Sequence, residues 1–488
     1  MSLVNFISIL GASNSTGYYA LQWNDADYVM TLGDKIHVNS DGVYVGFAYN
    51  SNVLVQEVRP LLFKFDRDGN NLWRRQLNAN TTPNNVSGAV EQLGSDSSGN
   101  VYIATEAYSS YFGLTKFQSD GTFLWNAGPN YPTQSSSLRS NQFIIGQNEN
   151  RIYRFYKWYY QNFNRQVINA SNGAILTTGA DYPQKMGDQS GSDEYNQYFM
   201  STAKSSTHGG ILVVGKFMAY TTSPHRHYVD TMALDADGVF QNSNSQNNYI
   251  GNYQCGLREV VNYGTKFYVV GQTPNNVNDT GVGTLYNRLL RLNMATAGAS
   301  TTLDQSIGCA LSSSTNGEYR SLCMGPDGKI FVISYRNDFL LIHQYNGGSN
   351  HTGTITYEGA AQLTNIRVAA SSYKQQVAEY DPESNSLFVV CNTTSNETQA
   401  NRSKFILKLP ADVSEIAALP SFTDSRGITY TFETPTNPTI ENTQISWSTG
   451  YGTSAQDTGV GFYQDYGSAN GLTGNNFTTE LFGNKIGI

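Results

Sequence analysis

Short apolar runs bounded by polar turns recur along most of this chain. The clearest stretch is Asp96–Trp125. There a polar turn, Ser97-Ser98-Gly99-Asn100, launches the apolar run Val101–Thr105. A second run, Gly113–Gln118, ends in Ser119-Asp120-Gly121, and a third begins at Thr122 and carries Trp125. Gly and Asp stand where tight hairpins need a positive φ or a side chain that bonds its own backbone. The pattern predicts an antiparallel meander.

Aligned on the leading apolar strand, the pattern repeats seven times, starting at Val43, Val101, Ile152, Ile211, Phe267, Ile330 and Leu387, at intervals of 58, 51, 59, 56, 63 and 57 residues. A second apolar strand follows in each copy, from Leu61–Phe65 in the first to Lys404–Leu409 in the last. Each copy reads as about four short antiparallel strands, and one such sheet cannot bury both of its faces. Seven of them packed face to face around an axis can. The predicted fold class is all-β: a seven-bladed β-propeller of four-stranded antiparallel blades with an irregular C-terminal extension. The period exceeds that of common propeller repeats, so enlarged loops are expected.

The residues that carry the pattern also carry a resemblance. Asp96–Trp125 resembles the bacterial β-propeller repeat D-x-x-G-N-V-Y-(V/I)-x-(G/T)…K-(F/Y)-x-x-x-G-x-x-x-W, and Lys64-Phe65, Gly69 and Trp73 repeat its second half. The other five copies lack the Trp. The resemblance covers roughly residues 34–412 and implies the fold, not an activity.

The ends differ, and three segments are expected: 1–33, 34–416 as the propeller, and 417–488. Phe6–Leu10 and Gly427–Phe432 compete as the strand that closes the ring. Beyond Pro435 the tail is polar, with scattered aromatics. The expectation is that Gly427–Phe432 packs on the propeller while the rest reaches to a neighbouring subunit; a tail folded back across the blades is the alternative. The passage Lys408-Leu409-Pro410-Ala411-Asp412, then Gly427-Ile428-Thr429-Tyr430, is similar to K-L-P-x-D…G-x-(I/F)-T-Y in uncharacterised structural proteins of marine tailed phages. That resemblance implies a tail or virion component.

Composition narrows the classes. Charged residues are 14% and aromatics 12%, with 33 Tyr and 46 Gly, as in a loop-rich β protein. A net charge of −8 without a Lys/Arg run argues against nucleic acid as a partner. No run of 18 apolar residues exists, so membrane insertion is not expected. The N-terminus has no basic region ahead of its short apolar run, so no signal peptide is expected. Cys255, Cys309, Cys323 and Cys391 show no metal-type spacing and are expected to be buried free thiols.

Candidate chemistry is sparse. Asp66-Arg67-Asp68-Gly69-Asn70 has a calcium-loop look but reads as a hairpin turn. His225-Arg226-His227 with Asp230 lacks a third metal ligand. No paired carboxylates can be assigned, so no catalytic residue, metal or cofactor is expected. The aromatic run around Tyr156, Trp158 and Tyr160, and the tail residues Trp447, Phe462, Tyr463 and Phe482, are candidate ligand or partner contacts. The functional expectation is a non-enzymatic structural or adhesion component of a tailed-phage virion, made in the host cytoplasm. Its expected partners are other virion proteins, in several copies per particle, and a host-surface glycan. The alternatives are a bacterial carbohydrate- or protein-binding propeller module and a glycoside hydrolase on a propeller.

Overall fold

Seven antiparallel sheets surround one axis in a computed structural model of the chain, which describes residues 17–24, 28–30, 34–51, 58–79, 90–105, 113–127, 141–158, 162–176, 198–219, 226–250, 256–274, 285–310, 319–336, 339–367, 376–393, 403–436, 439–441, 448–449, 472–476 and 484–487. The protein is a seven-bladed β-propeller. Among the described residues, helix is limited to the five-residue Val413–Ala417 and two 3-10 turns.

Blade 2 shows the plan, with strands Val90–Ser95, Val101–Thr105, Gly113–Phe117 and Phe123–Ala127 paired in sequence order from the axis outward. Blades 4, 5 and 6 follow it, and blade 1 does so from Lys35–Asn39 to Asn71–Ala79. Blade 3 has three described strands, and Ile175 makes an isolated antiparallel bridge to Ile168 of the third.

The seven leading apolar residues read from the sequence open the second strand of each blade and are all buried. Their strands have neighbours on both sides within the sheet and a packed blade against each face, so they read as continuous apolar runs. The first strand of each blade lines the axis, has one free edge, and is more polar. Turns between first and second strands and between third and fourth strands lie together on one face of the ring. At Asp66–Asn70 the Asp66 carboxylate accepts from the backbone N–H groups of Asp68 (3.0 Å) and Asn70 (2.8 Å), which accounts for the D-x-D-G pattern as a turn.

Ring closure corrects one expectation. The strand that completes blade 7 is Tyr19–Asn24, paired antiparallel with Ser403–Pro410 from Tyr19 opposite Lys408 to Asn24 opposite Ser403. Phe6–Leu10 lies outside the described residues. Thr429–Tyr430 instead makes a small hairpin with Phe422–Thr423, and Phe432–Glu433 joins the outer edge of blade 6. Phe422, Tyr430 and Phe432 are buried against Phe405 of blade 7 and one another, with Phe405–Tyr430 centroids 5.1 Å apart. These rings are the apolar content that docks the hairpin, and Phe405 occupies the side of blade 7 they cover.

The rest of the described tail is also on the ring. Thr439–Glu441 pairs with the outer strand of blade 5, Ser448–Thr449 with blade 4, Leu472–Asn476 with blade 1 and Asn484–Gly487 with the closing strand of blade 7. From Phe432 onward the described strands therefore visit blades 6, 5, 4, 1 and 7 in descending order around the circumference. The expectation that the tail beyond Gly427–Phe432 reaches outward does not describe these strands. Backbone pairing to open sheet edges holds them, and that needs no apolar pattern in the tail itself.

Candidate functional site

The axial ends of the blades are joined by side chains of the first strands. A bulge in blades 2, 4, 5 and 6, between Val90 and Gln92, Phe199 and Ser201, Leu257 and Glu259, and Tyr319 and Ser321, precedes a polar residue in each case. That residue accepts a backbone N–H from the next blade. Gln92 Oε1 accepts from Phe143 at 2.6 Å, Ser201 Oγ from Val260 at 3.2 Å, Glu259 Oε2 from Leu322 at 2.8 Å and Ser321 Oγ from Val377 at 3.1 Å. A bulge re-aims a side chain and frees a pairing group; here it turns the polar residue along the ring.

Gln376, at φ 57°, ties distant blades together. Its side-chain amide pairs with the backbone of Leu93 in both directions, at 3.0 and 2.8 Å. Its own N–H donates to Glu259 Oε1 at 2.9 Å, and its carbonyl accepts from Ile36 at 2.8 Å. Burial pushes the Glu259 carboxyl up to about 7, opposed by bonds from Ser321 and the Leu322 and Gln376 amides and by the Lys35 charge. Each Glu259 oxygen holds a named backbone donor.

These residues wall a cavity of about 310 Å³ on the axis, to which blades 2 through 7 contribute. The carboxylates of Glu91, Glu259 and Glu379 line it; among the described residues its lining contains no Lys or Arg, and the buried Lys35 charge acts on Glu259. Glu379 accepts from Val38 N at 3.0 Å and lies 3.2 Å from His37 Nδ1. Thr202 also lines the cavity; its Oγ1 is buried and has no hydrogen-bond partner among the described residues. No group of three His, Cys, Asp or Glu side chains among the described residues is arranged to hold a metal ion.

A second cavity, of about 510 Å³, opens on the turn face between blades 2 and 3, where Asp96, Lys116, Glu149, Arg151 and Asn169 stand around the partly exposed Leu176. Asp96 is committed to the turn: it accepts from Asn100 N and Tyr102 Oη, each at 2.9 Å, and pairs with Lys116 at 3.0 Å.

Of the candidate contacts read from the sequence, two fall in a described strand. Tyr156 and Trp158 belong to the strand Arg151–Trp158, Tyr156 opposite Asn141 and Trp158 opposite Asn162. Tyr160, Trp447, Phe462, Tyr463 and Phe482 lie outside the described residues, as do His225 and Cys255. Cys309, Cys323 and Cys391 are buried free thiols.

The axial residues were missed in the sequence because their strands lack an apolar run. Polar positions eight to ten residues ahead of each second-strand start, such as Gln92, Ser201, Glu259 and Ser321, were the available clue.

No protein-family model and no curated protein sequence matches the chain. Among solved structures, a protein from Lactobacillus plantarum shares 12% identity with a TM-score of 0.42, over 81% of this chain and 98% of its own. A candidate 6-phosphogluconolactonase from Bacteroides fragilis shares 13% with a TM-score of 0.40, over 71% and 95%. At that distance neither bears on what this chain does.

Proposed function

We propose that the chain is a non-enzymatic structural or adhesion component of a tailed-phage virion, with the propeller as its interaction platform. The circumferential course of the C-terminal segment supports this reading best. Strands of the tail occupy the outer edges of blades 6, 5, 4, 1 and 7. Covered edges resist adventitious strand pairing, and they leave the two faces of the ring to meet partners, which suits a subunit held in several copies among other proteins. The likeness of Lys408–Asp412 and Gly427–Tyr430 to phage structural proteins adds to it. Those residues have local structural work here. Lys408 donates to the Arg67 carbonyl of blade 1 at 3.0 Å, and Asp412 caps Val413–Ala417 through Ser414 N at 2.9 Å. The test is mass spectrometry of density-banded particles from the phage that encodes the chain. Fixed stoichiometry with the tail proteins supports the assignment, and recovery only in the soluble lysate overturns it.

A carbohydrate-binding module is the second reading, favoured by the polar cavity between blades 2 and 3. Saturable binding on a glycan array that Arg151→Ala abolishes would favour it.

A further inference from the structure

We propose that the outer edge of blade 2 is a docking site for residues 450–471 of this same chain, which lie outside the described residues. The segment carries the tail past blades 3 and 2 with one pairing station on each. This docking site is independent of the virion reading.

The spacing of the tail points to it. Glu433 stands opposite Gln362 of blade 6, Glu441 opposite Gly308 of blade 5, Thr449 opposite Asn244 of blade 4 and Thr473 opposite Asn78 of blade 1. Positions 433, 441 and 449 advance by eight residues per blade, and 473 lies 24 further on, three steps of eight. Three blade steps also separate blade 4 from blade 1, by way of blades 3 and 2. Positions 457 and 465 complete the series, and both are Asp. Each stands in the same short motif, Gln456-Asp457-Thr458-Gly459 and Gln464-Asp465-Tyr466-Gly467. A motif that recurs at the step of the blades is what contact with successive copies of one structural unit produces.

The edge is open and lies on the path. Among the described residues, Phe123–Ala127 is paired on one side alone, with Gly113–Phe117, so backbone groups on its other side face outward. Leu472–Asn476 on blade 1 comes beside Phe123–Ala127, which brings one end of the segment to blade 2. The other end is held by Ser448–Thr449 on blade 4. Eight residues suffice for each described step from blade 6 to 5 and from 5 to 4, so the 22 residues of 450–471 suffice for two further stations. A strand added to an open edge is held by main-chain hydrogen bonds, which suits a segment rich in Gly and poor in apolar runs. Because both ends of the segment are fixed on one ring, the occupant is this chain and not a second copy.

The experiment is hydrogen–deuterium exchange of the full chain as a monomer, read by mass spectrometry. Amides around Asp457 and Asp465 should exchange about tenfold or more slowly than in an unstructured peptide of the same sequence. Asp465→Pro and Tyr466→Pro, made singly, remove successive backbone donors, and alternate donors of an extended strand face its partner. One of the two should abolish the protection around 465 and leave that of Thr439–Glu441 intact. Replacing 454–467 by a Gly-Ser run of equal length keeps both ends in place. It should speed exchange in Phe123–Ala127 about tenfold or more and leave Val101–Thr105 unchanged. The proposal is overturned if both motifs exchange at the unstructured rate, if neither proline alters their protection, or if the Gly-Ser run leaves Phe123–Ala127 unchanged. Protection of Phe123–Ala127 in a dimer alone would also overturn it, by making a second copy the occupant.

Discussion

The indole of Trp73 lies flat against Gly121 of the following blade, and its Nε1 donates to the Ser119 carbonyl at 2.8 Å. A Cβ at Gly121 would fall 2.8 Å from Trp73 Cδ2. Lys64 Nζ donates to the same carbonyl at 2.8 Å. The junction of blades 2 and 3 repeats the arrangement. Trp125 covers Gly173, and Trp125 Nε1 and Lys116 Nζ share the Ala170 carbonyl at 3.2 and 3.1 Å. Between blades 7 and 1, Tyr19 stands over Gly69 and Lys408 donates to the Arg67 carbonyl. The Lys…Gly…Trp repeat is thus an inter-blade clasp: the Lys and aromatic of one blade grip the glycine turn of the next.

The clasp predicts a graded response to alanine. Gly121, Gly173 and Gly427 all have positive φ, at 83°, 74° and 83°. A Cβ at Gly427 meets nothing within 4 Å, whereas at Gly121 and Gly173 it strikes an indole. Gly427→Ala should cost only the backbone term, about 1–2 kcal/mol. Gly121→Ala and Gly173→Ala should cost about 1–3 kcal/mol more for displacing the ring. Urea unfolding midpoints check this, and equal losses at all three positions would contradict the clasp.

Lys404 of blade 7 pairs with Asp34, which leads into blade 1, and both side chains are 1% exposed. Lys404 Nζ also sits 4.8 Å from the centroid of the Phe47 ring. Lys404→Met should leave the Asp34 charge buried without this cation, at about 3–5 kcal/mol. The expected result is a large fall in the chemical-denaturation midpoint with the far-ultraviolet spectrum unchanged below the transition. A loss under about 1 kcal/mol would show that the pair behaves as an exposed one.

Stability should depend on pH with opposite slopes from two sets of groups. Burial pushes His343 down to about 3, and burial with the Arg291 charge pushes His351 down to about 4. Each is depressed below its unfolded value near 6.5, so its stabilising contribution is present above that value and is lost as pH falls. For His343 the loss is about 2 kcal/mol by pH 5. Glu259, raised by burial to about 7, contributes stability that is present below its unfolded value near 4.5 and lost as pH rises through about 7. Isothermal urea titrations should give a maximum between these limbs. His343→Gln should flatten the acid limb and Glu259→Gln the neutral one; unchanged slopes in both variants would refute the assignment.

What could be read in advance follows the kind of force involved. Val43, Val101, Ile152, Ile211, Phe267, Ile330 and Leu387 were legible because buried second strands leave a run of apolar residues. Lys64, Trp73, Lys116 and Trp125 were legible as a motif, though their shared carbonyl acceptors were not. The first strands were hidden because residues such as Gln92 and Glu259 serve the neighbouring blade through hydrogen bonds, for which sequence has no periodicity. Leu472–Asn476 and Asn484–Gly487 were hidden for a related reason: backbone pairing to an existing edge asks little of the side chains. The same holds for Tyr19–Asn24, whose role depends on Ser403–Pro410 at the far end of the chain.

Truncation after Thr436 separates a belt from a detachable arm. It keeps the Phe422–Glu433 segment, whose aromatic rings are docked against Phe405. It removes every described strand on the outer edges of blades 5, 4, 1 and 7. The blades retain their own inner strands and core clusters, so the shortened chain should still fold. Its melting temperature should fall, because the backbone pairs of Leu472–Asn476 with Arg75–Ala79 and of Asn484–Gly487 with Tyr19–Gln22 are lost. The second loss matters most, since Tyr19–Asn24 closes the ring and would become an edge strand. Its uncovered edge should also promote self-association. Scanning calorimetry and size-exclusion chromatography read both effects, and limited proteolysis should cut the shortened chain first near Tyr19–Asn24. An unchanged melting temperature with a monomeric profile would mean that the tail strands add nothing to the ring, and the belt would have to be abandoned in favour of an arm.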